Sequence, residues 1–554
     1  MKKPSIKAPA LKAPKLKESL RRPALGGGLP GGSRTGQSLL AAAAVLGVVF
    51  GLAELRPPAA PTAVGGHGTA TTSQVERTAA VCPPPRQGLI GTTTQTLFNP
   101  ATDAAKGTGT LTDLAPPAAA PAPSAAAPSG SASGSPSANP STGASAPAGG
   151  QAAAPARLTL AKPGVPVTGT APDGDAPATV AGASGAFAPG FSVSQTTSVS
   201  DQSRLGLSGV TCEASGTDFW FVGGSTAADR NDYVTLVNAD SSPATVDVRL
   251  FGDKGELTTE GGTGISMAPG TSQALLLKPM LKDEVADLAV HVVVRGGRVA
   301  AGVNAAQQGK GSDWIAASAA PAATQIMPGL PADLTSSRLV VAAPADDDAD
   351  LKIQVSGKNG WFTPAGKETL HVKAGMVAAL DLGSLNHGEA GAIRISPSDP
   401  AHPTPVVATV RVDRSNNGKA EAAWIAAAQP VGKRASIAEN RGGGATTLYL
   451  TAGGASAAKV RLTASAGSGG GTPATKDVDV PAGTTVAVQG LEPAGLKDVY
   501  GITAETLSGG SVFAARMLAV NQKDVPAFTV QAFHDDHSTV TVPFAESDPG
   551  LLLR

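Results

Sequence analysis

A repeat with a period of about a hundred residues constrains this chain more than any local motif does. The stretch "VDVRLFGDKG" at 246–255 lies on "LKIQVSGKNG" at 351–360 without a gap, bringing Gly252 onto Gly357 and Gly255 onto Gly360 at an offset of 105 residues. The same offset carries "ISMAPG", ending at Gly270, onto "LHVKAG", ending at Gly375. A third copy, "VDVPAG", ends 108 residues later at Gly483, and an apolar run follows each: "TSQALLL", "MVAALDL" and "TTVAVQGL". A period this long is the size of a small domain, so the folded part is expected to be an array of similar modules.

Within a copy the apolar residues alternate, as Val246, Val248 and Leu250 do, and period two is the mark of a half-buried strand. The middle copy reads as seven strands: "RLVVAAP", "DLKIQV", "ETLHV", "MVAALDL", "AIRIS", "PVVATVRV" and "AAWIAAA". Seven short strands in such a span predict an immunoglobulin-like sandwich. The fold class is therefore all-β, tandem immunoglobulin-like β-sandwich modules after an N-terminal transmembrane helix. The sandwiches are expected at 223–325, 326–432 and 433–533, after a first β module at 75–222 and before a C-terminal tail at 534–554. Four-stranded propeller blades repeat every ~40 to 50 residues, about half this period, so an open row of tandem sandwiches is favoured, with closure of the repeats into a ring as the alternative.

The motif "SDWIAASAAP" at 312–321 recurs as "EAAWIAAAQP" at 421–430 and stands at the last strand of each copy. This makes Trp314, Trp424 and Phe528 equivalent, with Asp218 and Asp313 each just ahead of a ring. Trp220, Trp314, Trp361 and Trp424 admit two readings: flat platforms for sugar rings, or large rings filling the space left by small neighbours. Regular spacing in an alanine frame favours packing or a module junction. Trp361, in the turn "KNGWFTPAG", is the candidate for a ligand-facing aromatic.

The N-terminal segment 1–38 carries Lys2, Lys3, Lys7, Lys12, Lys15, Lys17, Arg21, Arg22 and Arg34 against Glu18, and prolines at 4, 9, 14, 23 and 30 forbid a continuous helix. "LLAAAAVLGVVFGLA" follows, giving a transmembrane helix at 39–55, a signal anchor that leaves the basic tail cytoplasmic and the bulk of the chain extracytoplasmic beyond a linker at 56–74. The alternative is a cleaved signal peptide and a secreted chain, for which the basic region is too long. Lys plus Arg equals Asp plus Glu at 43 each, so no excess charge draws nucleic acid.

Cys82 and Cys212 are the two cysteines, both beyond the anchor, where an oxidising compartment lets them pair. A disulfide there closes a loop worth about 4 to 5 kcal/mol by chain entropy; two unrelated buried thiols are the alternative. Between them, 115–156 has no aromatic residue and no charge, and it reads as a disordered insertion open to O-glycosylation.

The run "TDFWFVGGSTAADRNDYVTLVNADSSPATVDVRLFGDKGEL", the cysteine pair and the repeated "WIAA" ends resemble a family of exported actinobacterial proteins known as a domain of unknown function. The likeness covers about Val75 to Phe533. It implies an envelope-facing location and carries over no catalytic residue.

No catalytic, cofactor or metal residue is assigned. "GGGLPG" at 26–31 fits a dinucleotide fingerprint, yet it lies in the basic tail without the strand and helix that fingerprint needs. The acidic run Asp346, Asp347, Asp348 and Asp350 lacks the glycine and closing glutamate of a calcium loop and reads as a solvated turn. "FHDDHS", with His534, Asp535, Asp536 and His537, is a set of borderline metal ligands read as a polar terminal segment. The expected function is a non-catalytic, membrane-anchored scaffold or recognition protein of the bacterial envelope, binding an envelope protein or a cell-wall glycan. An accessory subunit of an envelope glycosyltransferase or peptidase is the alternative.

Overall fold

The computed structural model describes residues 71–85, 90–100, 106–115, 155–172, 176–200 and 205–542. The basic tail, the expected helix at 39–55 and most of the 115–156 insertion lie outside them. Among the described residues no helix is long and apolar enough to cross a membrane. The chain divides into two compact units; Met1–Thr71 with Pro543–Arg554 falls outside the described residues save for Thr71, and Thr72–Val542 holds the modules described below.

The described part of that unit is built from antiparallel sheets, with one short 3-10 turn at Lys278–Met280. Four modules follow one another, and each has two sheets with the strand orders 1-6-3-4 and 5-2-7-8, counting strands from the module's start. In the second and third modules the fourth position is split into two short strands, as Gly255–Leu257 and Ile265–Met267 in the second. The alternation seen in the sequence is the two faces of a strand: along Ala244–Gly252, Val246, Val248 and Leu250 are buried while Thr245 is exposed. The repeating glycines are turn residues, with φ of 100° at Gly255 and 105° at Gly360, a region that L side chains rarely adopt.

The first strand of each module escapes the sequence reading. Gln325–Leu330 contains Pro328 and Gly329 and resembles a link, yet it is fully buried and pairs with Gly391–Pro397 across a bulge at Gly329, whose φ is 99°. Asp218–Gly224, read as the end of the first module, pairs with Leu288–Gly296 and is the first strand of the second.

The open row is also corrected, because the modules close a ring. The first sheet of each module packs its outer face on the second sheet of the next. Val81 and Ala178 meet Val237 and Ala300, and Trp220 and Val222 meet Val340, Ala342 and Val407. The first strand of the third module lies on the second and seventh strands of the fourth, Thr446–Ala452 and Val512–Gln522. The cycle closes where Arg434–Asn440 lies on Gly91–Phe98 and Ser192–Val199 of the first module. Asp218–Gly224 is apolar on both faces: Phe221 enters its own module's core while its neighbours Trp220 and Val222 face the next module. At the closing seam the contact is polar instead, with Glu439 of Arg434–Asn440 accepting from Thr196 Oγ1. Thr71–Gln74 pairs with Thr539–Val542 beside this seam.

Candidate functional site

The eighth strands, Gly206–Thr211, Ser312–Ile315, Lys419–Ala426 and Val525–Ala532, touch one another in cyclic order around the ring's axis. Each is the edge of its sheet, so N–H groups on its outer side have no ladder partner, and burial leaves them needing another acceptor. Two carboxylates supply it. Asp313 Oδ1 accepts from Gly209 N at 2.8 Å, Trp314 N at 2.9 Å and Thr529 Oγ1 at 3.2 Å. Glu421 accepts from Leu207 N and Phe528 N, both at 2.6 Å.

These contacts join the first, second, third and fourth modules at one place. The approach needs small residues: a Cβ on Gly206 would stand 2.3 Å from Glu421 Oε1. Burial pushes the Asp313 carboxyl well above its ordinary range against the backbone hydrogen bonds from Gly209 and Trp314. Burial does the same at Glu421, where the Leu207 and Phe528 N–H groups oppose it and the Asp313 charge adds to it.

A second buried group lies at the seam between the fourth and first modules. Glu439 is fully buried and accepts from Thr196 Oγ1 at 2.9 Å and Arg441 Nη2 at 2.6 Å. The Arg516 Nη1 donates to the Glu439 backbone carbonyl, and burial pushes the Arg516 guanidinium down to about 10, with Glu439 opposing. Close by, a cleft of about 320 Å³ is bounded by Thr78, Ser192 and Glu213 on the first module and by Ser436 and His534 on the fourth. It adjoins a recess of about 50 Å³ against the axial strands, with Thr211, Glu213, Ala214 and His534 common to both. Another cleft, about 400 Å³, lies in the second module beside Asp229, Arg230 and Gln307.

The aromatic residues of the repeat lie at junctions. Trp424 is 2% exposed and packs into the second module's core, with the Arg230 guanidinium 5.1 Å from its ring centre. Trp314 is 5% exposed. The register corrects the third member of the set. From the bridging residues Val299, Val406 and Val512, the fifth residue onward is Asn304, Arg411 or Met517, and these face Trp314, Trp424 and Val530. Phe528 lies two residues earlier, facing Ala519.

Trp361 is half-buried under Arg394, 4.4 Å from the guanidinium, and its Cδ1 lies where a Cβ on Gly483 of the next module would be 2.8 Å away. Trp220 stacks on His291 at 3.9 Å. Cys82 and Cys212 form the disulfide, joining the end of the first module's first strand to the residue after its eighth.

In the acidic run, Asp350 pairs with His371 at 2.8 Å and Asp348 accepts from Ala374 N at 2.8 Å. In "FHDDHS", His534 faces Glu213 at 3.5 Å, Asp536 pairs with Arg434, and His537 faces Asp535 at 3.7 Å. Among the described residues no His, Cys, Asp and Glu group is arranged to hold a metal ion. Asp313 was noticed in the sequence only for its place before Trp314. Glu421, Glu439 and Arg516 were not singled out, although Glu421 opens the second tryptophan motif.

Residues 167–490 match the model of a family described as "Family of unknown function (DUF5719)". The chain belongs to this family. The match starts with the first module's fifth strand, Val167–Pro172, and ends just after the fourth module's fifth strand, Thr485–Gln489, so the family's span includes both axial carboxylates. No curated protein and no solved structure matches the chain.

Proposed function

We propose that this chain is a non-catalytic, membrane-anchored extracytoplasmic scaffold or recognition protein of the bacterial cell envelope, of the exported actinobacterial kind its sequence resembles. Its modules are read as immunoglobulin-like sandwiches, with the seventh strand paired to the second. The disulfide between Cys82 and Cys212 carries the location, because such a bond persists in an oxidising compartment and is rare in the cytosol. The basic tail and the apolar run at 39–55 agree with it. The recognition role rests on the ring: packed sheets fix the relative places of loops from four modules, so a partner meets a preorganised surface.

The test is retention. Immobilised full-length chain is exposed to an envelope protein extract and, separately, to purified cell-wall polymer. Retention of polymer or of a defined envelope protein supports the proposal. A glycosyltransferase or peptidase retained in fixed ratio supports the accessory-subunit reading instead, and retention of nothing from either pool overturns recognition.

A further inference from the structure

We infer that the cleft between the first and fourth modules is a binding site for a neutral saccharide unit, a proposal that rests on the recognition reading above. Ser192, nine-tenths buried, has a hydroxyl with no hydrogen-bond partner, and the Thr211 hydroxyl is likewise buried and unpartnered. Both residues line the cleft of about 320 Å³. A buried hydroxyl without a partner is costly, so two in one cleft point to a ligand that supplies the missing partners.

The remaining lining sets the ligand's class. Glu213 from the first module and His534 from the fourth face each other at 3.5 Å across the cleft. Hydroxyl, carboxylate and imidazole groups can together both donate to and accept from a polyol. Phe191 also borders the cleft, its ring packed on the first module's core.

Charge decides between neutral and anionic sugars. Asp536 is already paired with Arg434, while Glu213 and Asp535 have only the imidazoles of His534 and His537 as partners among these ion pairs. Three acids, Glu213, Asp535 and Asp536, therefore line the cleft against the one guanidinium of Arg434, so it leans negative and disfavours phosphate or uronate groups.

The wall is held in place from both sides. The disulfide fixes Cys212 between Thr211 and Glu213, and Gly190 N donates to the Asp536 carbonyl at 3.3 Å from the other module. The site exists only where the ring closes, since its halves come from opposite ends of the repeat array.

Binding is measured on the full chain by calorimetry with the neutral trisaccharides maltotriose, cellotriose and chitotriose, and with trigalacturonic acid as the anionic counterpart. At least one neutral probe is expected to bind and the anionic one not. Ser192→Ala with Thr211→Val should weaken that binding by roughly ten- to a hundredfold, about tenfold for each hydroxyl lost, with the melting temperature unchanged or raised. Glu213→Gln should narrow the preference for neutral over anionic sugar.

Failure of every neutral probe to bind, tighter binding of the anionic one, or binding indifferent to the double substitution each overturns the assignment. The same variants are run in the wall-polymer retention assay. Polymer retained equally by parent and double variant removes this site while leaving recognition standing; a parent that retains nothing removes recognition itself.

Discussion

At the residue scale the molecule turns on Asp313 and Glu421, acids buried where edge strands need acceptors. Their folded pKa values lie above those of the unfolded chain, so the folded state holds the protons more tightly. The stability this lends is fully present below the ordinary carboxylate range and is lost as pH rises through the folded pKa. Asp313→Asn keeps an oxygen to accept from Gly209 and cannot ionise. Its melting temperature relative to the parent should therefore climb steadily between acidic and mildly alkaline buffer, and a constant difference would contradict the assignment.

Glu421→Ala removes acceptors from two buried N–H groups, Leu207 and Phe528, and should cost about 2 to 6 kcal/mol in denaturant unfolding. Neither role was legible in the sequence, because an acid beside a tryptophan looks the same on a solvated turn. What decides is the convergence of strands drawn from opposite ends of the chain.

At the scale of strands, the alternation of Val246, Val248 and Leu250 and the spacing of Gly255 and Gly360 identified the sheets and turns correctly. The first strands were hidden because Pro328 and Gly329 carry the signs of a link, and a bulge accommodates both. The repeat offset held the missing signal, since Gly223 and Gly329 lie 106 residues apart at the same bulge. Gly329→Ala puts a Cβ at a φ of 99° and 2.8 Å from the Ala515 Cβ. It should destabilise by about 1 to 3 kcal/mol, read as a lowered denaturation midpoint. Removing the bond between two other elements, by Cys82→Ser with Cys212→Ser, should cost about 2 to 5 kcal/mol, and the parent in reductant should match the double variant.

At the scale of the whole repeat array, the period was legible and the closure was not. A period near 105 residues gives a module, but whether modules form a row or a ring depends on the outer face of each first sheet. In "DFWFVGG" both faces are apolar, Phe221 turning inward and Trp220 and Val222 outward onto the third module, a contact that a row and a ring share. What separates the two is the outer face of Arg434–Asn440, which lies on the first module with Glu439 accepting from Thr196. The seam between the fourth and first modules therefore tests the central claim. Gln522 donates to Ser198 Oγ at 2.7 Å although 324 residues separate them. In the full chain carrying Ser198→Cys and Gln522→Cys, a short bismaleimide should link the two thiols within a monomer, seen as one cross-linked peptide pair by mass spectrometry. In an open row those positions stand at opposite ends, so a monomer in which both thiols react singly and no such pair forms would contradict the ring.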